Sequence, residues 1–73
     1  MSGLIKRSFS LAGHRTSIAL EAAFWEELEQ AARDQGMSLV GLVMSVDAAR
    51  DGTRPLASAL RLLALREART RPR

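Results

Sequence analysis

His14-Arg15-Thr16-Ser17-Ile18-Ala19-Leu20 alternates strictly and runs directly into a helix start. Side chains of an extended strand repeat every two residues, so Thr16, Ile18 and Leu20 share one face and Arg15, Ser17 and Ala19 the other. The first face suits a core and the second a polar partner. Three helical patterns follow, which makes the stretch a lone strand, about 14–20, in a mainly α chain. A lone strand cannot satisfy its own backbone N–H and C=O groups. Either the preceding segment folds back on it or a second copy of the chain supplies the missing strand.

Upstream, Lys6-Arg7-Ser8-Phe9-Ser10-Leu11 also alternates, with Phe9 and Leu11 on one side and Ser8 and Ser10 on the other. Ala12-Gly13-His14 then suits a tight turn in which Gly13 takes a positive φ, giving a hairpin. The competing account is a disordered basic arm; the alternation favours an extended, partly ordered segment. Residues 1–5 read as a flexible start.

Downstream the period becomes helical over about 22–35. Phe24, Leu28, Ala31 and Ala32 form one stripe with Trp25 beside it, while Glu26, Glu27, Glu29, Arg33 and Asp34 face outward. Gly36 closes this helix and Ser38 offers an N-cap for a second, about 38–50. Leu39, Val40, Leu42, Val43, Met44 and Val46 leave that second helix little polar surface, so it must be buried on most of its circumference. A chain this short offers few neighbours to cover it, which makes it the expected centre of a dimer interface. Gly52 and Pro55 separate a third helix, about 55–69, with Leu56, Leu60 and Leu63 on one face and Ala59 and Ala64 near it. Arg61, Arg66 and Arg69 remain to be solvated or paired, and 70–73 reads as a disordered tail.

The 73 residues amount to one domain at most, and a domain of this size buries only about 60% of its unfolded surface, so a monomer would be marginal. With no cysteine, neither a disulfide nor a thiolate metal site can compensate. The net charge of +3 is unevenly spread. Lys6, Arg7 and Arg15 stand without an acid in residues 1–20, seven acids face two arginines between 21 and 51, and six arginines face Glu67 after 52. Two basic ends around an acidic middle permit one basic face, a footprint for nucleic acid, although such charge can equally serve solubility alone. No apolar run approaches the ~20 residues of a membrane span, and the opening residues lack the apolar core of a signal peptide, so a cytoplasmic location with no membrane contact is expected.

Catalysis is poorly supported. His14 is the single histidine, no nucleophile stands in a recognisable constellation with it, and no glycine-rich phosphate loop is present. An enzyme, a metal and a cofactor are therefore not expected.

The order strand, helix, glycine turn, Ser-capped apolar helix resembles the ribbon-helix-helix family of bacterial and phage DNA-binding proteins. Lys6 to Glu21 with Phe24-Trp25 is similar to one compact subfamily of it, and the likeness extends over about residues 6–66. Ala22 stands where that pattern has proline, a change that a good helix former tolerates.

The resemblance implies an intertwined dimer in which residues 15–20 of two chains form an intermolecular antiparallel β-ribbon that enters the major groove. Arg15, Ser17 and Ala19 would then face base edges. Ser38, Leu39 and Val40, at the start of the second helix, would meet a phosphate, and Lys6 and Arg7 would add backbone contacts. Ile18, Leu20, Phe24, Leu28, Leu42, Val43 and Val46 would form the dimer core. The implied function is a homodimeric, nucleoid-associated transcriptional repressor on double-stranded DNA, with pairing of dimers into tetramers left open. The alternative is a protein-interaction module of the antitoxin type that binds a partner through the third helix.

Overall fold

In the computed structural model, which describes residues 3–72, the alternating stretch is a strand and so is the segment before it. Strand β1 spans Ile5–Leu11 and β2 spans His14–Leu20. They pair antiparallel as a two-stranded sheet, with Lys6 opposite Ala19, Ser8 opposite Ser17 and Ser10 opposite Arg15. Of the two ways to pair the strand, the preceding segment folds back on it as a hairpin, and residues 6–11 are ordered. Ile5, expected in the flexible start 1–5, opens β1; Met1 and Ser2 lie outside the described residues. Ala12 and Gly13 form the loop with φ of 51° and 84°. Two successive positive φ values belong to the primed turn whose twist matches its strands, a backbone that glycine adopts freely and alanine does not.

Helix α1 spans Ala22–Asp34, α2 Leu39–Ala49 and α3 Leu56–Thr70. Gly36, with φ 70°, ends α1: its N–H bonds to the Arg33 carbonyl at 3.0 Å and that of Met37 to Ala32 at 2.9 Å. These two bonds satisfy carbonyls that the end of a helix otherwise leaves open. In the stretch 70–73 expected as a tail, Thr70 closes α3 and Arg71 pairs with Glu27 and Asp34 of α1, while Arg73 lies outside the described residues.

The apolar face of the hairpin packs on the helices. Phe9, Leu11, Ile18 and Leu20 are buried in one cluster with Trp25, Leu28, Ala31 and Ala32 of α1, and the Phe9 ring lies 5.9 Å from that of Trp25. Leu42 and Val43 of α2 and Leu56, Leu60 and Ala64 of α3 complete the core. Burying one large aliphatic side chain contributes about 1.5–3 kcal/mol, so this cluster dominates stability. Trp25 lies on the buried stripe of α1 and Phe24 beside it, half-buried, the reverse of the expected order. The Trp25 indole N–H donates to the Ile5 carbonyl at 2.8 Å, which ties the start of β1 to α1.

Of the residues assigned to a dimer core, Ile18, Leu20, Leu28, Leu42 and Val43 are already buried within one chain, and Phe24 and Val46 are half-buried against them. Helix α2 is nevertheless incompletely covered. Val40 and Met44 keep 44% and 46% of their surface exposed, and on α3 Leu62 and Leu65 keep 45% and 50%.

Candidate nucleic-acid interface

Because the hairpin is packed on one side only, its other side collects the alternate residues of both strands. Lys6, Ser8 and Ser10 of β1 lie beside Ala19, Ser17 and Arg15 of β2, and all but the half-buried Ala19 are exposed. Cross-strand neighbours stand about 5 Å apart, within reach of one another. The Ser8 and Ser17 hydroxyls are hydrogen-bonded at 3.0 Å, and the Arg15 Nη1 donates to Ser10 Oγ at 3.2 Å. The polar face therefore carries two cations and three hydroxyls, and it presents no acid.

Sequence reasoning found the β2 half of this face, Arg15, Ser17 and Ala19, and missed Ser8 and Ser10. The signal was available: once the loop is two residues long, the register places each β1 serine opposite its β2 partner.

Lys6 and Arg7 part company. Lys6 lies on the polar face, whereas Arg7 lies on the helix side, where its Nη1 meets Glu29 Oε2 at 2.9 Å and its guanidinium sits 5.0 Å from the Trp25 ring centroid. Much of the acidic middle of the chain is occupied in the same way. Glu21 pairs with Arg61, Asp47 with Arg50, and Glu27 and Asp34 with Arg71. Lys6 and Arg15 form no ion pair among the described residues, which leaves both charges available.

At the start of α2 the Ser38 Oγ accepts from the Gly41 N–H at 3.0 Å, as an N-cap should. The N–H groups of Leu39 and Val40 belong to the first helical turn, which has no intrahelical acceptor for them. Two carboxylates, Glu21 just after β2 and Asp51 after α2, have lowered pKa values. The backbone N–H of Glu21 and then the Arg61 guanidinium hold the Glu21 carboxyl below its ordinary range, and the hydroxyl and N–H of Thr53 do the same for Asp51. Both interactions favour the charged form.

Among the described residues no group of three or more His, Cys, Asp or Glu side chains is placed to hold a metal, and no helix is long and apolar enough to cross a membrane. No curated protein matches the sequence. A solved structure, that of an uncharacterized protein from Bordetella pertussis Tohama I, superposes with a TM-score of 0.74 at 30% identity over 89% of this chain. The chain spans only 55% of the length of that protein. The sequence also matches the ribbon-helix-helix domain over residues 4–68, nearly its whole length. Strand, helix order and sequence agree: the chain belongs to the ribbon-helix-helix domain family, a family of DNA-binding transcription regulators whose domains are typically non-enzymatic and generally bind DNA as dimers.

Proposed function

We propose that the chain is a homodimeric, sequence-specific DNA-binding protein, a transcriptional repressor that sets the polar face of its β-sheet into the major groove. The observation that carries this reading is the acid-free polar face of the hairpin, on which Lys6 and Arg15 form no ion pair among the described residues. Within the chain β2 pairs on one edge with β1, and no strand covers its other edge among the described residues. Antiparallel pairing of that edge with β2 of a second copy would bring Arg15, Ser17 and Ala19 together with their symmetry mates. Strands lie about 4.8 Å apart and the major groove is about 12 Å wide, so a central pair of strands fits within it.

On base edges Arg15 makes a bidentate contact to guanine O6 and N7, Ser17 donates or accepts, and Ala19 touches a thymine methyl. Lys6 meets phosphates, as do the amides of Leu39 and Val40 next to the Ser38 cap, where the positive end of the helix dipole adds to the attraction. Arg7 is better suited to holding the hairpin on α1 than to touching DNA.

Selection of random duplex DNA by the purified protein at near-physiological salt tests the proposal. Enrichment of repeated half-sites by a protein that sediments as a dimer is the expected result. Retention without enrichment, lost steeply with salt, would reduce the protein to a backbone binder.

A second reading has its own observation. Leu62 and Leu65 are about half exposed on α3, and Arg66 and Arg69 beside them form no ion pair among the described residues. An apolar stripe flanked by unpaired arginines suits an acidic, apolar segment of a partner protein. Co-purification of such a partner, released by Leu65→Glu, would support it.

A further inference from the structure

Resting on the DNA-reading proposal and widening it, we infer that Ser8 and Ser10 of β1 are specificity-determining residues that set how Ser17 and Arg15 meet the bases. Of the three β2 residues placed at base edges, Arg15 and Ser17 are each hydrogen-bonded to the β1 serine directly across, Arg15 to Ser10 at 3.2 Å and Ser17 to Ser8 at 3.0 Å, while Ala19 lies opposite Lys6. These bonds lie on the exposed polar face, away from the packed one, so the core does not require them.

Ser10 acts on Arg15 through orientation. An unrestrained arginine samples many rotamers and loses that freedom when it engages a base. The Ser10 hydroxyl holds one of the five guanidinium N–H groups and leaves four for guanine, so the side chain is partly ordered before DNA arrives. Ser8 acts on Ser17 through donor choice. A hydroxyl has a single hydrogen. When Ser17 donates to Ser8 it offers a base only lone pairs, and when Ser8 donates, the Ser17 hydrogen is free for a base acceptor. Ser8 thereby decides which base edge Ser17 prefers.

The test uses the full chain and a duplex obtained by the random selection described above, with a scrambled duplex as competitor. Ser10→Ala should cut the preference at the base pair faced by Arg15 by about two- to tenfold, the value of one hydrogen bond. Ser10→Thr, which keeps the hydroxyl, should restore most of it. Ser8→Ala should change the preferred base at the position faced by Ser17, with a similar factor. Thermal midpoints of all three variants should stay close to that of the parent, because the altered side chains are exposed. Unaltered preference in Ser8→Ala and Ser10→Ala would overturn the roles of the two serines while leaving the DNA-reading proposal standing. An equal loss on both duplexes that threonine fails to restore would also overturn them. If the parent protein selects no sequence at all, both proposals fall.

Discussion

Lys6 and Arg7 are adjacent cations on opposite faces of β1, and their predicted effects differ accordingly. Lys6→Ala should weaken binding to all duplexes about equally and lower the salt slope by about one unit, because a phosphate contact carries no sequence information. Arg15→Ala should lose about 1–3 kcal/mol on the preferred duplex and flatten base preference in a competition assay. For Arg7→Ala the expected loss is in stability, about 1 kcal/mol by thermal melting, since it removes a half-exposed ion pair with Glu29 and a cation–π contact with Trp25. A drop in DNA affinity at unchanged melting temperature would instead place Arg7 on the DNA. The period of two alone puts these neighbours on opposite faces, so their placement, though not their roles, is legible in the sequence.

The turn and the caps can be tested as elements. Ala12 holds φ 51° between strands that require it, and a left-handed conformation costs a residue with a Cβ about 1–2 kcal/mol. Ala12→Gly should therefore raise stability by about 1 kcal/mol, or about 4–8 °C in melting temperature. Ser38→Ala should lower it by about 0.5–2 kcal/mol, through loss of the bond to the Gly41 amide. The three helices and their punctuation at Gly36, Ser38 and Pro55 could be read directly, because periodicity and capping chemistry are local. Pairing of β1 was harder to read. Alanine is a poor marker for a primed turn, and the charges of Lys6 and Arg7 mimic a solvated arm. Trp25 and Phe24 exchanged places for a related reason, since both lie near the edge of an apolar stripe and only packing against Phe9 decides between them.

For the whole molecule, the ion pairs link parts distant in sequence. Glu21 meets Arg61, and Arg71 reaches back to Glu27 and Asp34, so α3 is fastened to both ends of α1. Glu21 and Asp51 have folded pKa values below their unfolded ones. A depressed carboxylate contributes stability that is present above its unfolded pKa and lost as the pH falls through the folded one. Melting temperature should therefore be flat from pH 7 to about 5 and should decline below about pH 4, where unfolded carboxylates take up protons. Glu21→Gln should flatten part of that decline, measured by calorimetry across the pH series, and an identical profile would remove Glu21 from the account. The hairpin is also joined to α1 by polar and aromatic contacts at Trp25. The single tryptophan of the chain donates its indole N–H to the first residue of β1, with Arg7 over its ring and Phe9 against it. The protein thereby carries its own fluorophore at the seam between hairpin and helices, so any event that lifts, tilts or wets that seam will register in its emission without an added label.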